Sequence, residues 1–127
     1  MVERMHVILY VAEQARATAF YRAVLAAEAV LDVPGMTEFR ISNSCVLGLM
    51  PEAGIRRLLG EALPDPAQAQ GVPRAELYLV VRDAAAWHAR ALEAGARELA
   101  PLAARDWGAR VSYVLDPDGH VVAFAEA

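Results

Sequence analysis

Apolar and polar residues alternate along Met5–Val11, MHVILYV, with Val7, Leu9 and Val11 on one face and His6, Ile8 and Tyr10 on the other. Period-two alternation predicts a half-buried strand. From Gln14 to Ala26 the spacing becomes helical. Ala15, Ala19, Phe20, Ala23 and Leu25 allow close packing on a sheet, and Arg16 and Arg22 point outward. Ala29–Val33 reads as a strand ended by the turn pair Pro34-Gly35. Glu38–Ile41 is a short strand, Ser42-Asn43-Ser44 a turn, and Cys45–Met50 the next strand. The predicted order is β-α-β-β-β.

The order then repeats. Ala75–Arg82 reads as a strand, Ala84–Ala94 as a helix closed by Gly95, and Arg97–Ala100 as a strand broken by Pro101. Arg110–Leu115 is a strand, Asp116-Pro117-Asp118-Gly119 a turn and His120–Glu126 the last strand. Met5–Leu25 and Ala75–Gly95 read alike, and a shift of about seventy residues aligns Val11 with Val81 and sets His6 against Glu76. The chain is thus expected to be a single domain over 1–127, with modules 1–50 and 74–127 joined by a linker, 51–73. That linker is rich in Pro and Gly, with one helical turn expected at Ile55–Leu59. Two related half-units predict a shared cleft.

Composition narrows the classes. At 57% hydrophobic and 22% charged, the 127 residues can bury a core. A net charge of −4 with scattered Arg argues against nucleic acid, which requires a positive stripe. Acidity weakly favours cationic or neutral ligands. No apolar run reaches the length of a membrane span, and MVERMHVILYV lacks a signal-peptide layout. The single Cys45 sits in an apolar strand and reads as a buried small hydrophobe. With no second cysteine to pair with, it fits a reducing cytoplasm.

These features together resemble the vicinal-oxygen-chelate superfamily, the group of glyoxalase I, extradiol dioxygenases and bleomycin-resistance proteins. The resemblance rests on the paired βαβββ units and on Ala19-Phe20-Tyr21 with Val24-Leu25 in the first helix. It rests also on Gly95 closing the second helix and on DPDGH before the last strand. Ala26 departs from it, because the family commonly has Gly there. The resemblance implies an α+β fold whose two modules form a half-open, curved-sheet barrel, and a homodimer. It also implies a divalent metal on the first and fourth strands of each unit. Carried across, those positions are His6, Gly48, Glu76 and Ala123. Gly48 and Ala123 offer no side-chain donor, whereas a protein-held transition metal wants about three or four. No cofactor is therefore expected.

The expected ligand-binding face comprises His6, Ile8, Tyr10, Val46, Gly48, Met50, Glu76, Tyr78 and Ala123, with Gly48 and Ala123 enlarging the pocket. Tyr10 and Tyr78 fall on the faces of His6 and Glu76, where a flat ligand suits them. His6 and Glu76 are the acid/base candidates, and pseudo-symmetry suggests that they pair. Trp107 on its loop is a stacking or dimer-contact candidate. Arg105 and Arg110 could pair with an anionic group. Trp87 reads as core, and Asp116 and Asp118 as turn-formers. The expectation is a metal-independent small-molecule-binding protein similar to the antibiotic-binding branch, with catalysis left open. The alternative is a metal-dependent lyase, isomerase or dioxygenase with a non-standard ligand set, drawing on Tyr10, Tyr78 or the partner chain.

Overall fold

The alternating segment Met5–Val11 forms strand β1, and the Ala-rich stretch after it forms helix α1 over Gln14–Leu25. The computed structural model describes residues 1–126, which divide by contacts into two compact units. The first comprises Met1–Arg22 and Ala26–Gln70. The second comprises Ala23–Leu25 and the residues from Gly71 on.

In the first unit, strands β2 (Leu31–Val33), β3 (Met36–Ser42) and β4 (Cys45–Pro51) join β1 in the order β1-β4-β3-β2. β1 runs parallel to β4, and the other pairs are antiparallel. A parallel pair cannot be closed by a tight turn, so α1 and the β2–β3 hairpin fill the crossover. Register and alternation put Val7, Leu9, Val11, Thr37, Phe39, Leu47 and Leu49 on one face. Val11, Thr37, Phe39, Leu47 and Leu49 are buried there, and α1 adds buried Ala17, Phe20 and Tyr21.

One polar clamp crosses this interface. Thr18 Oγ1 and Thr37 Oγ1 share a buried hydrogen bond of 2.8 Å. The Gln14 amide donates to Val33 O at 2.8 Å and to Thr37 Oγ1 at 3.0 Å, and its oxygen accepts from Gly35 N–H at 2.9 Å. One side chain at the start of α1 therefore closes the Pro34-Gly35 hairpin.

The expected linker, 51–73, holds more than the single helical turn expected at Ile55–Leu59. Helix α2 spans Glu52–Leu59 and buries Ile55, and two 3₁₀ turns follow at Gly60–Ala62 and Pro66–Ala69. The prolines stand where a missing N–H costs nothing. Pro51 caps α2, and Pro66 opens the second 3₁₀ turn behind Asp65, whose carboxylate accepts from Ala67 N–H. This segment groups with the first unit as far as Gln70.

The second unit repeats the order. Strands β5 (Glu76–Val80), β6 (Arg97–Ala104), β7 (Arg110–Leu115) and β8 (Val121–Glu126) form a sheet β5-β8-β7-β6, with helix α3 (Ala84–Glu93) after β5. Asp83 caps α3 by accepting from Ala86 N–H at 3.1 Å. Trp87 packs on Phe124, with ring centroids 6.1 Å apart, as expected of a core residue. In the DPDG turn, Asp116 Oδ1 accepts from Asp118 N–H and His120 N–H, both at 2.8 Å. Gly119 has φ +88°, and a Cβ there would lie 2.8 Å from Gly71 Cα, so only glycine fits. Pro101 does not end β6 as expected. The strand runs through it because β6 is a sheet edge, and its pairing with β7 shifts register there. Among the described residues no helix is long and apolar enough to cross a membrane.

The Ala26 departure has a structural cost. α1 closes with Ala27 N–H bonded to Arg22 O and with Ala26 at φ +51°, the left-handed region that glycine prefers. Ala26→Gly is expected to stabilise the protein by about 1 kcal/mol. Thr37→Val leaves the buried Thr18 hydroxyl without its partner and is expected to destabilise by about 1–3 kcal/mol. Urea unfolding midpoints check both signs.

Candidate functional site

A helix covers one face of each sheet, so the candidate chemistry lies on the other. In the first unit that face carries His6, Ile8 and Tyr10 on β1, Val46, Gly48 and Met50 on β4, and Met36 and Glu38 on β3. His6 Nδ1 lies 3.4 Å from Glu38 Oε2, so His6 has a carboxylate partner within its own sheet. The sequence reading passed over Glu38. Its signal was the alternation of β3, which puts Met36, Glu38 and Arg40 on the His6 face. Gly48 does not open a pocket as expected. A Cβ there would sit 3.0 Å from Ile8 Cγ1 and 3.2 Å from Met36 Sδ, because both neighbours lean over the glycine.

In the second unit the corresponding face carries Glu76, Tyr78 and Val80 on β5, Val121, Ala123 and Ala125 on β8, and Val111 and Tyr113 on β7. Register pairs Tyr78 with Ala123 and Ala123 with Tyr113. The repeat partner of Tyr78 is therefore Ile8, which pairs with Gly48, and Tyr10 corresponds to Val80. Ala123 is fully buried in a cluster with Val111 and Ala125, with Ala109 and Tyr113 packed against it. It too enlarges no pocket.

The exposed part of this face carries an aromatic pair beside Glu76 and Val80. Trp107 sits in a turn closed by Arg105 N–H to Ala109 O (2.9 Å) and Gly108 N–H to Arg105 O (3.1 Å). Its indole Nε1–H donates to the Tyr78 hydroxyl at 3.0 Å. Trp107 is 60% exposed and Tyr78 41%. Tyr113, which the sequence reading missed, stands on the same face, packed against the cluster of Val111, Ala123 and Ala125. Burial raises its phenol pKa above the ordinary 10.0, and the charge of Glu76 and the Tyr78 phenol push the same way, against Arg105. The Arg105 guanidinium lies 5.3 Å from the centre of the Tyr113 ring and donates to Pro101 O and Val111 O. It is thus committed within the protein.

Arg110 falls off this face. Alternation along β7 turns it to the side of Ser112, and its guanidinium bonds Glu126 Oε1 at 2.9 Å. Glu126 Oε2 in turn accepts from Ala84 N–H at the start of α3. Arg110 thus stands on the helix side, away from the face where a ligand contact was expected. His88 bonds Glu98 at 2.8 Å.

The four positions that would hold a metal do not fit one. Gly48 and Ala123 supply no donor, and the space beside each is taken by apolar neighbours. Among the described residues, no group of three His, Cys, Asp or Glu side chains gathers to replace them.

Comparison with known proteins agrees with this architecture. A family model described as Glyoxalase/Bleomycin resistance protein/Dioxygenase superfamily matches residues 5–124. No curated protein matches. Among solved structures, a glyoxalase-related enzyme from Fulvimarina pelagi is similar at TM-score 0.83 and 23% identity, over 99% of this chain and 89% of that one. A glyoxalase/bleomycin resistance protein/dioxygenase family enzyme from Burkholderia phytofirmans is similar at TM-score 0.80 and 16% identity, over 95% of both chains. A glyoxalase/bleomycin resistance protein from Catenulispora acidiphila is similar at TM-score 0.68 and 22% identity, over 99% of both. At these identities the likeness shows the fold.

The raised Tyr113 pKa has a consequence for alkaline stability. The folded state holds the phenol proton more tightly than the unfolded chain does. Tyr113's contribution is then fully present below about pH 10 and is lost as pH rises through the folded value. Tyr113→Phe is expected to lose less stability than wild type across about pH 9–12, as read by urea unfolding at each pH.

Proposed function

The chain belongs to the glyoxalase/bleomycin resistance protein/dioxygenase superfamily, and from that premise we propose that it binds a small molecule without a metal and without turning it over. The observation that carries this reading is the exposed Trp107–Tyr78 pair, on a sheet face where Ala123 leaves one of the two metal positions without a donor. Aromatic side chains with polar tips hold flat ligands well, and a strand-borne Tyr is positioned more rigidly than one on a loop. Sequestration of an antibiotic or toxin is the form of this function that the reading favours. A cytoplasmic homodimer is part of the proposal; the single cysteine, Cys45, has no second thiol in the chain to pair with, which suits a reducing compartment. Sedimentation of the purified protein checks the dimer.

A metal-dependent lyase, isomerase or dioxygenase is the second reading, and the His6–Glu38 pair favours it. That pair brings a carboxylate from β3 beside the first-strand histidine.

Metal analysis of protein purified without chelator separates the two. The first reading expects substoichiometric metal and a melting temperature indifferent to chelator. Stoichiometric metal that disappears in His6→Ala supports the second. A thermal-shift screen over uncharged, anionic and cationic compounds is expected to find a stabilising ligand, adding about 2.7 kcal/mol at ~100 times its dissociation constant.

A further inference from the structure

Helix α2 carries an apolar stripe that the rest of the chain covers only in part. Ile55, Leu58 and Leu59 stand at i, i+3 and i+4, the spacing of one helix face. Ile55 is buried, but Leu58 is 70% exposed and Leu59 49%. Single exposed leucines are ordinary, whereas two adjacent ones that continue a buried face point to a contact surface. These leucines are also held in place. Gly60 N–H donates to Arg56 O at the end of α2, and the Arg56 guanidinium donates to Leu63 O at 2.7 Å. The helix end is thus tied to the turn after it, and a partner meets side chains on a backbone already ordered.

Charge decides which partner fits. Arg57 immediately precedes the leucine pair, and Glu61 follows it in the 3₁₀ turn Gly60–Ala62. Both are exposed, and neither has an ion-pair partner among the described residues. The segment therefore runs from positive through apolar to negative. Laid antiparallel on a copy of itself, it exchanges its ends: each Arg57 meets Glu61 of the second copy, and the leucines meet between them. An isologous contact needs this self-complementarity. An anionic membrane surface would attract Arg57 but repel Glu61 and a chain of net charge −4.

We propose that the exposed end of α2 is where two copies of this chain meet, Leu58 and Leu59 packing about a two-fold axis with an Arg57–Glu61 pair on each side. This rests on the homodimer in the reading above and adds its surface. Two leucines a side fall short of the roughly 800 Å² per partner that a stable interface buries. The dimer is accordingly weak and reversible, with monomer and dimer exchanging between about 1 μM and 1 mM.

Sedimentation velocity across that concentration range tests it. All the substituted side chains are exposed, and each variant's fold is checked by its melting temperature at a concentration where wild type is monomeric. Leu58→Glu is expected to weaken association at least about tenfold. Arg57→Glu and Glu61→Arg, each alone, turn both crossing pairs repulsive and are expected to do the same. The double variant Arg57→Glu/Glu61→Arg restores both pairs and is expected to associate within about threefold of wild type. A helix merely damaged by substitution would not recover in this way. A dimer indifferent to Leu58→Glu overturns the surface and leaves the homodimer standing. A double variant no tighter than either single one overturns the antiparallel contact. Wild type that stays monomeric throughout overturns this proposal and the homodimer together, while the thermal-shift screen still decides separately whether the protein binds a small molecule. If that monomer co-sediments with phosphatidylserine vesicles and Leu58→Glu does not, the stripe is a membrane contact and the proposal fails.

Discussion

Each four-stranded sheet in this protein has a single long helix to pack against, and a sheet has two faces. In the first unit α1 takes the face of Phe39, Leu47 and Leu49, tied down by the Thr18–Thr37 bond. In the second, α3 takes the face of Phe124 through Trp87. The parallel pairing of each first strand with each last strand depends on the same arrangement, because a helix must occupy the crossover. Everything that bears on function follows from what the helices leave uncovered. His6, Glu38, Glu76, Tyr78 and Tyr113 all stand on those faces, and side-chain alternation places them there without a loop to position them.

The two units meet that condition differently. The first covers its far face largely with aliphatic groups, so that Ile8 and Met36 lean over Gly48. The second sets two tyrosines and Trp107 among small aliphatic residues, and Tyr78 and Trp107 remain substantially exposed. The repeat thus conserves a backbone while its side chains diverge. Register makes the divergence specific: where one unit has Ile8 beside Gly48, the other has Tyr78 beside Ala123.

The strands and helices were legible because alternation and Ala-rich helical spacing are local. Strand β7, Arg110–Leu115, has the bounds its pattern gives. The donor shortfall at Gly48 and Ala123 was equally legible, since a missing side chain shows in the letters. What escaped depends on cross-strand neighbours. Glu38 becomes His6's partner only through the pairing of β3 with β4. Tyr113 joins the aromatic group only through Ala123, and Arg110 leaves it only because β7 turns it to the helix side. The pocket expected at Gly48 failed for the same reason, because void space belongs to the neighbours of a small residue and not to the residue itself. Pro-rich 51–73 holds more helix than the one turn expected at Ile55–Leu59, because proline marks helix starts as well as loops.

The packing over Gly48 also bears on how this sequence can change. A donor introduced at that position by one substitution would have to push aside Ile8 and the Met36 thioether, whose atoms already stand 3.0 and 3.2 Å from where its Cβ must go. Three codons on three strands are therefore coupled. Drift at Ile8 or Met36 alone gains no donor, and a donor at 48 alone meets crowding. Descent from this sequence back to a four-ligand site must cross intermediates that are worse packed and still incomplete, so the second unit's aromatic face is the more accessible ground for new specificity.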